Sequence, residues 1–284
     1  MRFEAPDSFE GAVALLAAEG GTTRVLAGGT DVLVQLRSDM FTPDLMVDIK
    51  RIPGVHDVTA EGGGWRVGAA VSGAELNEHP EVKKDWPGVC EALDLIGSTQ
   101  VQGRATLTGN LCNASPAADS VPAMIAAGAV VTIAGPDGER EAKAEDIATG
   151  PGKTSLKLGE LVTSVFLPAR GTGGGDCYLR FIPRTEMDIA VVGAAVSMTV
   201  EGGKITAARV SLGAVAPTAL LVEDAATAII GSSLDEAALT ALGEAASAAA
   251  NPISDKRGTV AFRTKVAGVL AQRAAKTAYE RAIK

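Results

Sequence analysis

Two glycine-bearing segments of the chain carry residue types that bind phosphates. The first is Ala27–Asp31, which reads Ala-Gly-Gly-Thr-Asp. Adjacent glycines allow a sharp turn and leave backbone N–H groups open to an anion, and Thr30 adds a hydroxyl. The same residues also fit a tight strand-to-helix turn that holds no ligand. The segment lacks the Gly-x-Gly-x-x-Gly spacing, which argues against a dinucleotide site of the Rossmann type.

The second segment, Thr106–Asp119, places small hydroxyl and amide side chains on both sides of Gly109 and ends on a carboxylate. A bound dinucleotide needs this mixture, because its pyrophosphate accepts hydrogen bonds and its ribose hydroxyls donate them to an acid. The residues equally fit a polar surface loop whose Asn and Ser side chains bind their own backbone. Taken alone, the segment leaves both interpretations open.

The elements around the first segment have the order that commonly positions a phosphate. A short strand is predicted over residues 23–26, directly before the glycines. A helix over 32–37 and a second strand over 45–49 follow. An earlier helix begins near Asp7 and ends at Gly20-Gly21. The result is a strand–glycine turn–helix–strand unit, in which a helix N-terminus faces the turn.

The second segment lies between two regions with clear patterns. Residues 86–96 are predicted to be helical, and residues 121–134 a buried helix that runs into a strand. Between them, residues 100–119 break every periodic pattern. Long irregular segments inside compact domains are usually functional or disordered. Because this one holds few charges and is flanked by helices, we expect it to be functional.

The carboxy-terminal part begins after the glycine run 171–175, the preferred domain boundary. Strands are predicted over 190–200 and 204–215, a capping box at Ser233–Glu236, and a final helix over 260–282. We therefore expect a domain over residues 1–175, with lobes of about 1–55 and 56–175, and a second domain over 176–284.

Composition excludes several classes of protein. The 284 residues include 26 Lys and Arg against 34 Asp and Glu, a net charge of −8 that argues against nucleic-acid binding. No apolar run is long enough to span a membrane, and the amino end lacks the pattern of a signal peptide. Three widely spaced cysteines fit a reducing compartment, so a cytoplasmic protein is expected. With two histidines and no Cys-x-x-Cys pair, no metal site is expected in this chain.

Together the two segments resemble the FAD-binding loops of a known family. Ala27–Asp31 and Thr106–Asn110 look like the two loops in the flavoprotein subunits of molybdenum hydroxylases, the medium subunits of the xanthine dehydrogenase and carbon monoxide dehydrogenase type. Asn113–Asp119 and Met187–Ala190 also look like motifs of that family, in the same order. The resemblance covers essentially the whole chain.

The resemblance implies an α+β fold with two parts: a two-lobed FAD-binding domain of the vanillyl-alcohol oxidase type and a small carboxy-terminal αβ domain. FAD would lie extended between the lobes. In the first loop, along the pyrophosphate, the implied contacts are Leu26, Ala27, Gly28, Gly29, Thr30, Asp31, Val32 and Leu33. In the second loop, which closes on the phosphates and approaches the flavin, they are Thr106, Thr108, Gly109 and Asn110.

Three further positions match the family pattern. Asp119 matches a carboxylate that contacts ribose or ribityl hydroxyls, and Val162 matches an apolar position against the isoalloxazine ring. Arg180 matches a position that is commonly Lys, where a cation can stabilise the reduced, anionic flavin. One position departs from the pattern, since Thr108 stands where the family's second loop has its first Gly. A β-branched residue tolerates positive φ poorly, so we expect the local backbone to differ.

The implied function is electron transfer through FAD, with no catalytic residue of this chain acting on the organic substrate. A large partner subunit would hold the molybdenum cofactor, and a small partner subunit would pass electrons singly from two [2Fe–2S] clusters. FAD would deliver them to NAD or a quinone, within a heterohexamer of three chains present twice each. Two alternatives remain open at this point: a self-contained flavin oxidoreductase of the same fold, and a non-enzymatic nucleotide-binding assembly subunit, which Thr108 favours.

Overall fold

The first unit is a parallel sheet whose strands are connected by helices. The computed structural model describes all 284 residues, and the first unit contains β1 (Arg2–Glu4), α1 (Phe9–Ala18), β2 (Thr23–Leu26), α2 (Val32–Arg37) and β3 (Leu45–Asp48). The strands lie in the order β1-β3-β2, and both pairings are parallel. Because β3 lies in the middle, the glycine turn after β2 emerges at one edge of the sheet. The predicted strand–turn–helix–strand unit is confirmed.

The second unit combines an antiparallel sheet with a group of short helices. Its elements are β4 (Val58–Glu61), β5 (Gly64–Gly68), α3 (Gly73–Glu78), α4 (Pro80–Asp85), α5 (Pro87–Asp94), α6 (Thr99–Gln102), α7 (Leu107–Cys112), α8 (Ser120–Ala127), β6 (Val130–Gly135), β7 (Gly138–Lys143), β8 (Ala148–Gly150), β9 (Lys153–Thr154) and β10 (Leu161–Leu167). The large sheet has the order β4-β5-β10-β6-β7, and β8 pairs with β9. Strand β10 is therefore central, between β5 and β6.

The third unit is an antiparallel sheet covered by helices. It comprises β11 (Gly174–Phe181), β12 (Val192–Glu201), β13 (Lys204–Gly213), β14 (Leu220–Leu221), α9 (Glu223–Thr227), α10 (Glu236–Ala249) and α11 (Val260–Ala282). The strand order follows the chain, β11-β12-β13-β14. Alanines on α11 permit close packing: a Cβ added to Gly175 of β11 would lie 1.9 Å from the carbonyl oxygen of Ala278. The small residues at this contact thus bring the backbone of β11 close to that of α11.

Each unit is the centre of one hydrophobic cluster, and the first two clusters extend into the next unit, to Leu161 and to Tyr178. Ala12, Leu45 and Val47 belong to the first, Met124 and Val165 to the second. The third core is dominated by the apolar face of β12 and by alanines of α10 and α11. No helix is long and apolar enough to cross a membrane.

Two sequence-based expectations are wrong in detail. Residues 100–119, expected to be irregular, contain the short helices α6 and α7, which are too short to show a periodic apolar pattern. The capping box at Ser233–Glu236 does not form. Helix α10 begins two residues later than expected, because the carboxylate of Asp235 accepts the backbone N–H of Ala238 at 3.0 Å.

Candidate functional site

A cleft of about 640 Å³ lies between the first and second units, and it collects both glycine-bearing loops. Its walls come from the β2–α2 turn, from α7 and from residues 152–162. Of the residues predicted to bind the cofactor, the cleft is lined by Ala27, Gly28, Gly29, Thr30, Asp31, Val32, Thr106, Thr108, Gly109, Asn110 and Val162. The structure therefore brings together segments that are up to 135 positions apart, from residue 27 to residue 162.

At Gly28 the first loop packs against Arg104 and Ala105, which directly precede the second loop. A Cβ added there would lie 1.8 Å from the carbonyl oxygen of Arg104, a separation that no side chain tolerates. Gly29 meets a different requirement, since its φ of +83° belongs to the left-handed region that glycine adopts without strain. The first glycine thus permits the loop–loop contact, and the second permits the turn.

The first loop offers a row of unused hydrogen-bond donors. The backbone N–H groups of residues 28–32 donate to no acceptor in the chain, and the first amide that does is that of Leu33, to the carbonyl of Gly29 at 3.1 Å. Consecutive free amides at the start of a helix attract anions, because their partial positive charges add. This part of the cleft is therefore suited to a phosphate or pyrophosphate.

The second loop is held in place by its own side chains. The hydroxyl of Thr106 caps α7 by accepting the N–H of Gly109 at 2.9 Å. Thr108 lies inside α7, so its backbone has no positive φ. The amide oxygen of Asn110 accepts the N–H and the hydroxyl of Ser120, at 3.2 and 2.7 Å. The loop is thus ordered without any ligand contact.

The wall opposite the loops is apolar. Val162 of β10 is buried there at 5% exposure, beside the bulge that interrupts the pairing of β10 with β6. The composition and spacing of the sequence did not identify the other apolar residues as lining of the cleft. They are Leu16, Val25, Ile49, Ile96, Ala105, Cys112, Leu156, Leu158 and Leu161. They come from separate segments, so no local pattern could have identified them. A flat apolar ring fits against such a wall.

Two predicted residues of the first loop support the turn and do not line the cleft. Leu26 is buried at 7% exposure, whereas Leu33 is 43% exposed. Their Cδ1 atoms flank Gly29, about 3 Å from where a Cβ would stand (2.9 and 3.0 Å). Their assignment as cofactor contacts stays a prediction.

Asp119 and Arg180 also lie outside the cleft lining, and they pair with each other. The guanidinium Nη1 of Arg180 is 2.8 Å from Oδ2 of Asp119, and the hydroxyl of Tyr178 donates to Oδ1 at 3.0 Å. Burial raises the pKa of the Asp119 carboxyl to about 6, although Arg180 and Tyr178 oppose that shift. Arg180 Nε is buried without a partner. Since Asp119 precedes Ser120, this cluster adjoins the second loop.

Comparisons with known proteins agree with this geometry. Residues 1–170 match the family described as "FAD binding domain in molybdopterin dehydrogenase", and residues 178–278 match "CO dehydrogenase flavoprotein C-terminal domain". The chain is 34% identical over 280 residues to the carbon monoxide dehydrogenase medium chain of Afipia carboxidovorans, covering 99% of this chain and 97% of that one. It is 31% identical over 250 residues to the putative xanthine dehydrogenase FAD-binding subunit XdhB of Escherichia coli, covering 87% and 86%.

Solved structures give the same result at the level of the fold. The reconstituted CO dehydrogenase from Oligotropha carboxidovorans superimposes with a TM-score of 0.95 at 33% identity, covering 99% of this chain and 98% of that one. Quinoline 2-oxidoreductase from Pseudomonas putida 86 superimposes with a TM-score of 0.92 at 28% identity, covering 100% of this chain and 98% of that one. The resemblance noted in the sequence, the α+β fold and the FAD cofactor are confirmed. The chain belongs to the family of FAD-binding medium subunits of molybdenum hydroxylases, and it is an oxidoreductase flavoprotein subunit.

Proposed function

We propose that this chain passes electrons from the [2Fe–2S] clusters of a small partner subunit, through FAD in the cleft, to an acceptor such as NAD or a quinone. The observation that supports this most directly is the pairing, in one cleft, of free backbone amides at residues 28–32 with an apolar wall at Val162. FAD supplies the ability to take up electrons singly and to release two together. The chain's own residues bind and orient the cofactor.

Each predicted site residue takes a role that its chemistry allows. The amides of the first loop bind the pyrophosphate, and Lys157 and Arg24 at the cleft wall add positive charge. Val162, which lines the cleft, would contact the isoalloxazine ring. We further propose that Asp119 and Arg180 act as a pair: the carboxylate faces the ribityl or ribose hydroxyls, and the guanidinium stabilises negative charge on the reduced ring.

Two of the titratable residues that line the cleft are poorly suited to covalent or acid–base chemistry on a substrate. Its one cysteine, Cys112, is a poor nucleophile because burial raises the pKa of the thiol to about 12. The carboxylate of Glu160 is bound in a bidentate pair by Arg140, and that pairing lowers its pKa to about 2. At neutral pH neither group serves as a general acid or base.

The partners follow from full-length similarity to medium chains of multi-subunit enzymes. We propose a large subunit that holds the molybdenum cofactor and a small one that holds the iron–sulfur clusters, in a cytoplasmic heterohexamer. Within this chain, three hydrophobic clusters, each centred in one unit, support a division into a flavin domain of residues 1–175, with lobes of about 1–55 and 56–175, and a carboxy-terminal domain of 176–284.

The proposal is tested by the visible spectrum of the purified full chain before and after FAD is added. Flavin absorbance that bleaches with dithionite and returns with NAD or a quinone supports electron transfer and identifies the acceptor class. A chain that retains no flavin absorbance after incubation with FAD and removal of the unbound cofactor contradicts the proposed cleft site. Co-purification from the native host with molybdenum and iron chains tests the assembly separately.

A further inference from the structure

Thr108 makes a buried hydrogen bond that ties the second loop to the sheet of the second unit. Its hydroxyl donates to the backbone carbonyl of Ala69 at 2.7 Å and lies 3.3 Å from the hydroxyl of Thr106. Thr108 is 5% exposed and Ala69 is fully buried. No other group of the chain donates to the Ala69 carbonyl, so this hydroxyl alone satisfies it.

A second hydrogen bond connects Ala69 to β10, the strand that carries Val162 of the apolar wall. Ala69 follows β5 directly, and its own N–H donates to the carbonyl of Thr163 in β10 at 3.0 Å, one residue from Val162. A backbone hydrogen bond also joins the two regions, since the N–H of Gly73 donates to the carbonyl of Ala105 at 2.7 Å. Thr108 therefore supplies the side-chain link between the loop and the wall that together line the cleft.

We propose that Thr108 is a positioning residue that orders the second loop before the cofactor binds, and so raises the affinity of this chain for FAD. The inference rests on the proposed placement of FAD in the cleft. A site that is ordered in only a fraction of free molecules binds with an affinity reduced by that fraction. A glycine at position 108, as in the family pattern, lacks the hydroxyl and leaves the carbonyl of Ala69 without a donor.

The test uses the full chain with three substitutions at this position. Thr108→Val keeps the shape and removes the hydroxyl, Thr108→Gly removes the side chain, and Thr108→Ser retains the bond. Thr240→Val is the matched control, because Thr240 donates to the carbonyl of Glu236 on an exposed face of α10. Amide hydrogen exchange of residues 104–112 is measured without FAD, and the FAD dissociation constant by flavin fluorescence quenching.

We expect the Val and Gly variants to exchange faster in residues 104–112 and to bind FAD about five- to tenfold more weakly. The Ser and control variants should match the wild type. If Thr108→Val leaves exchange or affinity unchanged, the proposal is overturned. If the Val variant does not fold, the Gly and Ser variants decide by the same two measurements.

Failure of the proposed site gives a different result. In that case the wild-type chain binds no FAD, while the exchange comparison on the free chain still shows whether the hydroxyl orders the loop. Equal exchange in the wild type and Thr108→Val would then refute the ordering role itself.

Discussion

At the scale of single residues, Gly28 is the glycine whose added Cβ would lie closest to another atom of the chain. Its α-carbon packs against the carbonyl of Arg104, and Arg104 Nε donates back to the carbonyl of Gly28 at 3.4 Å. The glycine therefore joins the two loops as well as forming a turn. A side chain here would separate the free amides of the first loop from α7.

We expect Gly28→Ala to weaken FAD binding by about five- to 150-fold, because the added methyl forces the loops apart, an overpacking that costs about 1–3 kcal/mol. The dissociation constant is measured by flavin fluorescence quenching. Gly20→Ala is the matched control, since a Cβ at Gly20 meets no atom within 4 Å. Equal affinities in the two variants would show that the loops do not need this contact.

Asp119 gives the chain a pH-dependent stability in the mildly acidic range. Its pKa rises from an ordinary 3.8 to about 6 through burial. A folded-state pKa above the unfolded one means that the folded chain binds the proton more tightly. The resulting stability is present in full below about pH 4 and is lost as the pH rises through about 6.

Asp119→Asn should remove this dependence, because the amide does not titrate. We expect the difference in unfolding free energy between the wild type and Asp119→Asn to change by up to about 3 kcal/mol between pH 4 and pH 7. Urea unfolding at unit pH steps provides the measurement. A difference that stays constant over that range contradicts a raised pKa at this carboxyl.

At the scale of elements, the apolar wall depends on a clamp between β7 and the start of β10. Arg140 of β7 binds Glu160 in two places, Nε to Oε1 at 2.8 Å and Nη2 to Oε2 at 2.7 Å. The backbone N–H of Lys157 donates to the same carboxylate at 2.7 Å. Because Glu160 directly precedes β10, the clamp fixes where the wall begins.

We expect Arg140→Met to destabilise the chain by about 1 kcal/mol at pH 7, a value discounted because Arg140 is more than one-third exposed. The pKa of Glu160 is depressed to about 2, so this stability is present above its ordinary 4.5 and is lost as the pH falls toward 2. Urea unfolding of the wild type and Arg140→Met at pH 7 and pH 3 tests whether the stabilisation decreases at the lower pH. Lys143→Met, an exposed change on the same strand, should have no such effect.

At the scale of the whole molecule, Asp176 connects the third unit to the second. One carboxylate oxygen accepts the N–H of Gly88 at 2.9 Å, and the other pairs with Nη1 of Arg170 at 2.6 Å. The guanidinium of Arg170 also lies over the ring of Trp86, 4.8 Å from its centroid. Asp176 is 4% exposed, so this contact is shielded from water.

Asp176→Ala should destabilise the chain by about 3–5 kcal/mol, because it leaves the buried Arg170 charge without its carboxylate and the Gly88 N–H without its acceptor. Chemical unfolding gives the free energy, and limited proteolysis around residues 168–175 reports whether the units separate. The exposed control Glu244→Ala should stay within about 0.5 kcal/mol of the wild type. Similar decreases in the free energy of unfolding in both variants would show that the contact between Asp176 and Arg170 does not stabilise the chain.

The amino-acid sequence by itself determined the features that depend on neighbouring residues. The turn at Gly28–Gly29 and the helix over 260–282 were predicted as the structure shows them. Both depend on residues that lie close together in the sequence, so a local pattern is enough to predict them. Helix α7 escaped prediction, since the Thr, Gly and Asn residues between its leucines hide any apolar period. The cap of α10 was misplaced because Ser233 and Asp235 are both suitable caps, and only the fold selects one.

The tertiary structure decided which distant residues meet. The pairing of Asp119 with Arg180 and Tyr178, the approach of Arg104 to Gly28, and the bond from Thr108 to Ala69 all join segments that are far apart in the chain. Such contacts depend on how the sheets and helices pack, and no local pattern encodes them. The sequence thus identified the loops of the FAD cleft, and the packing of the first two units formed its walls.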